Sequence, residues 1–151
     1  MSLTVSFEKG LEPWVPVVLY PTAFKELAPS LPDLIADFDQ LQQVFTNLIL
    51  NAIQAMPKGG KLTLRTSFDN DQFKIEVQDT GYGISAENMR KIFTPFFTTK
   101  REVKGVGLGL AISYGIVQRH KGRIEVQSKE GEGTTFSIYL PLHINETIEK
   151  S

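Results

Sequence analysis

Residues 77–85 read VQDTGYGIS, and the choice of fold turns on them. An alternating, strand-like run ends at Val77 and Gln78, an aspartate follows, and two glycines then flank a single residue. Two kinds of site use such a stretch. Gly81, Gly83 and Ala86 satisfy the G-x-G-x-x-A pattern that follows the first strand of a dinucleotide-binding sheet. Alternatively, Asp79 accepts a hydrogen bond from a base, and the glycines let a ring lie close to the backbone.

The neighbouring strands decide between them. QFKIEVQ places Phe73, Ile75 and Val77 on one side, and KLTLRTS places Leu62 and Leu64 on one side. The turn FDND between them makes the two a hairpin. GRIEVQS and TTFSIYL form a second hairpin around KEGEG. The opposite faces are polar throughout: Lys61, Thr63, Arg65; Gln72, Lys74, Glu76; Arg123, Glu125, Gln127; Thr135, Ser137, Tyr139. A doubly wound sheet is covered by helices on both faces, and its strands read apolar on both. This sheet is expected to keep one wet face and carry helices on the other. That is a two-layer α/β sandwich of the α+β class, and it counts against the dinucleotide reading. A dinucleotide fold also needs a buried parallel strand and an acid about 20 residues on. Here Ser85 caps a short helix, SAENMRKIF, that runs into PFFTTKRE, and Glu102 lies in a loop with no strand before it.

Two longer helices complete the layer. Residues 39–56 carry apolar side chains at 41, 44, 45, 48, 49, 52 and 55, a helical spacing, with Asp37 or Asp39 able to cap the start and PKGG ending it. VGLGLAISYGIVQRH reads as the second, with Leu108, Ala111, Ile112 and Ile116 on one stripe.

Composition narrows the classes. The chain has 151 residues, 41% of them hydrophobic and 22% charged, which suits one globular domain with a real core. A net charge of −1 offers no basic field for nucleic acid. Without cysteine there is no thiolate zinc site and no cysteine nucleophile. No apolar run is long enough to span a bilayer, and MSLTVSFEKG lacks the pattern of a signal peptide. A cytoplasmic monomer without nucleic-acid or membrane contact is expected.

Several polar residues stand out against this frame. Asn47 and Asn51 lie four apart on one helix face, where asparagine is a poor helix former. They either fix the helix as satisfied polar groups or offer a carboxamide oxygen to a hard cation that also holds phosphates. Asp79 is either a turn former or an acceptor for an amino group on a base, with Thr135 a second polar contact at the same end. GVGLG at 105–109 exposes backbone N–H groups at a helix start, a pattern that attracts phosphate and also simply enters helices. Lys100, Arg101 and Lys104 belong to a solvated loop or to a lid whose ammonium reaches a terminal phosphate. His120 ends a helix, where a cation suits the dipole, and His143 lies past the last strand. There is no P-loop and no eukaryotic-type kinase signature.

Taken together these residues resemble the ATP-binding catalytic domain of bacterial two-component sensor histidine kinases, in the superfamily shared with gyrase and the mismatch-repair ATPases. The resemblance runs from about residue 33 to 141. NLILNAIQA at 47–55 looks like the N box, DTGYGI at 79–84 like the first glycine box, IFTPFFTTK at 92–100 like the F box and GVGLGLAI at 105–112 like the second glycine box. GTTFSIYLP at 133–141 looks like the closing strand. Four boxes in order are a specific signal.

The resemblance implies a Bergerat-type, left-handed βαβ sandwich with a mixed, mostly antiparallel sheet. It implies ATP and Mg²⁺, with Asn51 as metal ligand and Asn47 beside the phosphates. Asp79 would accept from the adenine amino group, with Thr135 nearby through water, and Gly81 and Gly83 would shape the adenine wall. Ala55, Ile84, Ile92, Leu108 and Leu110 would belong to the nucleotide pocket. Lys100 would approach the terminal phosphate, and Gly105, Gly107 and Gly109 would hinge a lid over residues 94–106 and meet the phosphates.

Two departures qualify that picture. Hydrolysing members of the superfamily carry a water-activating glutamate at the position matched by Asn47, and an amide cannot act as that base. This favours phosphoryl transfer over hydrolysis. No acceptor-histidine segment is present either, so the partners implied are a separate dimerisation domain bearing that histidine, a response regulator and an adjacent sensor domain. Residues 10–30, with Trp14, fit the family less well, within an N-terminal extension over residues 1–32. The alternatives are a related serine kinase or hydrolysing ATPase, and a non-catalytic module gated by nucleotide.

Overall fold

The computed structural model describes residues 2–8, 38–69, 71–94 and 109–141. Its elements in chain order are β1 (Ser2–Glu8), α1 (Phe38–Gln54), β2 (Gly59–Asp69), β3 (Gln72–Asp79), α2 (Ala86–Met89), α3 (Gly109–Arg119), β4 (Arg123–Lys129) and β5 (Gly133–Pro141). Among the described residues no helix is long and apolar enough to cross a membrane.

The five strands form one sheet in the order β1-β2-β3-β5-β4. All four pairings are antiparallel, so among the described residues the expected mixed sheet is corrected to an antiparallel one. β3 and β4, on either side of β5, run in the same direction, as alternate strands of an antiparallel sheet must, and are joined by the segment that contains α2 and α3. The hairpins arise as the sequence suggests. Asp71 takes the left-handed conformation (φ 58°) that aspartate tolerates, so Asp69 can pair with Gln72. Gly131 and Gly133, both at positive φ, turn β4 into β5.

The inner face of the sheet and the helices enclose the core. Leu62, Leu64, Phe73, Ile75, Val77, Phe136, Ile138 and Leu140 meet Val44, Leu48, Ile49, Ala52, Ile53 and Met56 of the α1 segment and Ile116 and Val117 of α3. The α3 stripe differs from the expected one. Ser113, Ile116 and Val117 are its buried residues, whereas Ile112 is 39% exposed. Leu108 lies outside the described residues.

The outer face is wet and charged, as its alternation requires. Glu76 bridges Arg65 at 3.7 Å and Lys74 at 3.4 Å, and the Arg123 guanidinium stacks 3.9 Å from the Tyr139 ring centre. A side-chain hydrogen bond with Tyr139 raises the Lys74 pKa, desolvation opposes the rise and Glu76 adds to it. These exposed pairs contribute little stability each.

Candidate functional site

Asp79 is the last residue of β3 and the one place where the inward alternation Phe73, Ile75, Val77 puts a carboxylate instead of a hydrocarbon. It is 3% exposed. Its Oδ1 accepts from the Gly81 N–H at 2.8 Å and from the Thr134 N–H at 3.2 Å. Desolvation raises its pKa, and those two N–H groups only partly offset the rise. Both bonds end on Oδ1, and among the described residues none ends on Oδ2. A buried carboxylate with one oxygen unspent is suited to accept from a ligand's amino group.

The loop after Asp79 is fastened on two sides. The Tyr82 N–H donates to the Ala55 carbonyl at 3.0 Å, which closes the end of α1. The Gly131 N–H donates to the Tyr82 carbonyl at 2.7 Å, which holds the β4–β5 hairpin against the loop. The glycines serve these contacts. A Cβ on Gly81 would lie 2.2 Å from the Ala55 oxygen, and one on Gly83 (φ +74°) would lie 2.2 Å from the Lys129 oxygen. The close approach of the protein's own backbone is thus enough to require glycine at both positions. Gly133 follows the same rule against the Asp79 carbonyl.

Thr135 is the second correction. It pairs with Gln78 and Gln127, so it shares their outward face, opposite to Asp79. Thr134 is the threonine beside the aspartate, and it is buried. Its hydroxyl meets Ser128 Oγ at 2.8 Å, and Ser128 also accepts from the Ile84 N–H at 2.8 Å. Sequence reading missed both residues. Alternation on β5 was the available signal, because Phe136, Ile138 and Leu140 inward also put Thr134 inward.

At the other end, Asn47 crosses from α1 to α3. Its Nδ2 donates to the Gly109 carbonyl at 3.1 Å and to Ser113 Oγ at 3.3 Å, while Ser113 Oγ donates to the same carbonyl at 2.9 Å. Both Asn47 bonds use the nitrogen, and neither consumes the amide oxygen. Asn51 is half-buried one turn further along α1. Ala55 and Ile92 are buried, while Ile84 and Leu110 are partly buried against the same core. Lys100, Gly105, Gly107 and Leu108 lie outside the described residues. His120 is structural: its Nδ1–H donates to the Ile116 carbonyl at 2.8 Å within the last turn. No group of three His, Cys, Asp or Glu residues placed to hold a metal ion is found among the described residues.

Comparison with known proteins agrees with this architecture. Residues 36–144 match the family model described as "Histidine kinase-, DNA gyrase B-, and HSP90-like ATPase". The chain is 49% identical over 115 residues to the sensor histidine kinase ZraS of Escherichia coli K12, covering 76% of this chain and 24% of that protein. It is 40% identical over 121 residues to sporulation kinase E of Bacillus subtilis, covering 80% of this chain and 16% of that protein. The chain thus spans about a quarter or less of the curated relatives it matches. Among solved structures, the nucleotide-free catalytic domain of histidine kinase ThkA aligns with a TM-score of 0.69 at 28% identity, covering 93% of this chain and 96% of that one. Full-length ShkA in complex with AMPPNP aligns with a TM-score of 0.69 at 26% identity, covering 91% of this chain and 31% of that one. The chain belongs to the histidine kinase-, DNA gyrase B- and HSP90-like ATPase family, and within it to the catalytic ATPase domains of sensor histidine kinases.

Proposed function

We propose that this domain binds Mg-ATP, with adenine at Asp79, and presents the terminal phosphate to a histidine on a separate dimerisation domain. The observation that carries the reading is Asp79 itself, a buried carboxylate whose Oδ1 accepts from two backbone N–H groups and whose Oδ2 accepts from none of the described residues. Adenine offers an amino donor to such an oxygen, and the apolar Ala55, Ile84, Ile92 and Leu110 are assigned to the ring's surroundings on sequence alone. Thr134 takes the place expected for Thr135.

Asn51 would hold Mg²⁺ together with the phosphates, and the cation when bound neutralises phosphate charge. Asn47 orders the start of α3, where backbone N–H groups suit phosphate. On sequence alone, residues 94–106 are assigned the lid, with Lys100 toward the terminal phosphate and Gly105, Gly107 and Leu108 at its edge. The protein's contribution is positional: it fixes the nucleotide while a partner's histidine attacks in line, and no residue of this chain forms a covalent bond. Asn47 in place of a base disfavours attack by water. Phosphate would pass from the histidine to a response regulator, and use of ATP places the domain in the cytoplasm.

Calorimetric titration of the chain with AMP-PNP and Mg²⁺, beside Asp79→Asn, tests the binding site. Saturable binding lost in the variant is expected. Incubation with ATP and a separately supplied histidine-bearing dimerisation domain tests the transfer, with acid-labile phosphate on that domain as the expected product. Acid-stable phosphate on serine, or release of inorganic phosphate alone, would overturn it.

A further inference from the structure

We infer that Ser128 is a positioning residue for base selection: it fixes the direction of the Thr134 hydroxyl, so that the base end of the site presents acceptors only. The inference rests on the adenine reading above and extends it to a residue outside the family's boxes as quoted.

Ser128 Oγ has one proton and two lone pairs. Three partners surround it: the Ile84 N–H at 2.8 Å, the Gly133 carbonyl at 3.0 Å and Thr134 Oγ1 at 2.8 Å. A single arrangement satisfies all three. The Ile84 N–H fills one lone pair, the serine proton goes to the Gly133 carbonyl, and the Thr134 hydroxyl must then donate into the second lone pair. Thr134 spends its only proton on Ser128 and keeps lone pairs alone for anything beside it. Its neighbour in the site, Asp79, is also an acceptor, and the Thr134 N–H is already committed to Asp79 Oδ1 at 3.2 Å.

A base edge that meets Asp79 and Thr134, directly or through a water, must therefore donate. The 6-amino group of adenine does so. The 6-oxo group of guanine brings lone pairs to the same place and finds no proton. Without Ser128 Oγ, the Thr134 proton is free to turn toward the ligand, and the objection to a 6-oxo group weakens. The same serine ties Ile84, in the loop after Asp79, to the β4–β5 hairpin. Loss of that tie weakens both nucleotides alike and leaves their ratio unchanged, which separates selection from scaffolding.

The test is the ratio of affinities for AMP-PNP and GMP-PNP, each displacing a ribose-labelled fluorescent ADP from the parent, Ser128→Ala, Ser128→Thr and Thr134→Val. In Ser128→Ala the adenine preference is expected to fall by about 3- to 10-fold, the scale of one neutral hydrogen bond. Ser128→Thr retains the hydroxyl and is expected to retain the preference. An unchanged ratio in Ser128→Ala, with both affinities lowered together, overturns the inference while leaving the adenine site intact. Should Ser128→Ala fail to fold, Thr134→Val decides: it removes the oriented hydroxyl, and an unchanged ratio there overturns the inference as well. Absence of AMP-PNP binding in the parent sinks the adenine reading first, and the Ser128 inference with it.

Discussion

The Asp79 end and the Asn47 end of the site are held by different means. At Asp79, backbone meets backbone: Tyr82 is hydrogen-bonded to Ala55, just past α1, and to Gly131 on the hairpin, and Gly81 and Gly83 lie so close to Ala55 and Lys129 that neither has room for a Cβ. At Asn47, one side-chain amide reaches the first carbonyl of α3, and the nearest atom to a Cβ on Gly109 would be 3.7 Å away. A base is a flat ligand of fixed edge pattern, and a rigid frame suits it. Phosphates are reached by groups that assemble around them. The same residue type, glycine, thus has opposite meanings at the two ends.

The sharpest way to break this comparison is Gly83→Ala. Positive φ and the Lys129 oxygen both oppose a side chain there. Backbone must move, and the domain is expected to lose about 2–4 kcal/mol of stability, read as a lower midpoint in urea denaturation. A variant that melts like the parent would mean that the loop is not bolted to the hairpin.

Asp79→Asn comes next, and it separates binding from stability. Burial holds the Asp79 carboxyl above its ordinary value of 3.8. Folding therefore favours the protonated acid. Its contribution is full below the unfolded-state value and is lost as pH rises through the raised folded value. The amide variant escapes that loss. At neutral pH it is expected to melt at or above the parent's temperature, with the gap closing as pH falls below the usual carboxylate range. Its affinity for AMP-PNP is expected to drop by about 10- to 100-fold, since a hydrogen bond to a charged group is removed. Melting curves across pH, with and without nucleotide, check both halves. A variant less stable than the parent at neutral pH would show that the Oδ1 bonds outweigh the cost of burial.

Asn47→Ala probes the weaker end. It leaves the Gly109 carbonyl with the Ser113 hydroxyl as its side-chain donor, and a loss of about 1–2 kcal/mol is expected. Hydrogen exchange should speed up at the start of α3 and stay unchanged at Tyr82 and Gly131. Equal acceleration at both ends would deny that they are separate units.

These contrasts mark what a one-dimensional reading can hold. Alternation on the strands and the polar outer face were legible, because period two is written residue by residue. So were Asp79 and the two asparagines, as polar residues on apolar surfaces. Thr134 was legible and overlooked, since the outward placing of Ser137 and Tyr139 already carries Thr135 outward with them. The tasks of Gly81 and Gly83 were not legible. Ala55 and Lys129 come near them only through the register of β3 with β5 and the docking of α1, and no local pattern records that. The stripe on α3 failed for a related reason: Leu110, Ser113 and Val117 make as good a helical row as the apolar one through Ile112, and only the position of α1 selects between them.

Gly109→Ala carries the smallest expected effect and bears most directly on the phosphate end. Gly109 opens α3, and a Cβ there meets Asn47 at ordinary van der Waals distance. Alanine is the better helix former, so stability is expected to hold or to rise by up to about 1 kcal/mol. If this glycine serves only the helix, AMP-PNP affinity stays at the parent's level. If phosphate lies against the α3 backbone, as proposed, the added methyl stands between the two, and affinity falls while stability does not. Thermal melting beside nucleotide titration resolves the two cases. A stable variant with undiminished affinity would move the phosphates away from Gly109 and leave Asn51 to hold them without help from the helix start.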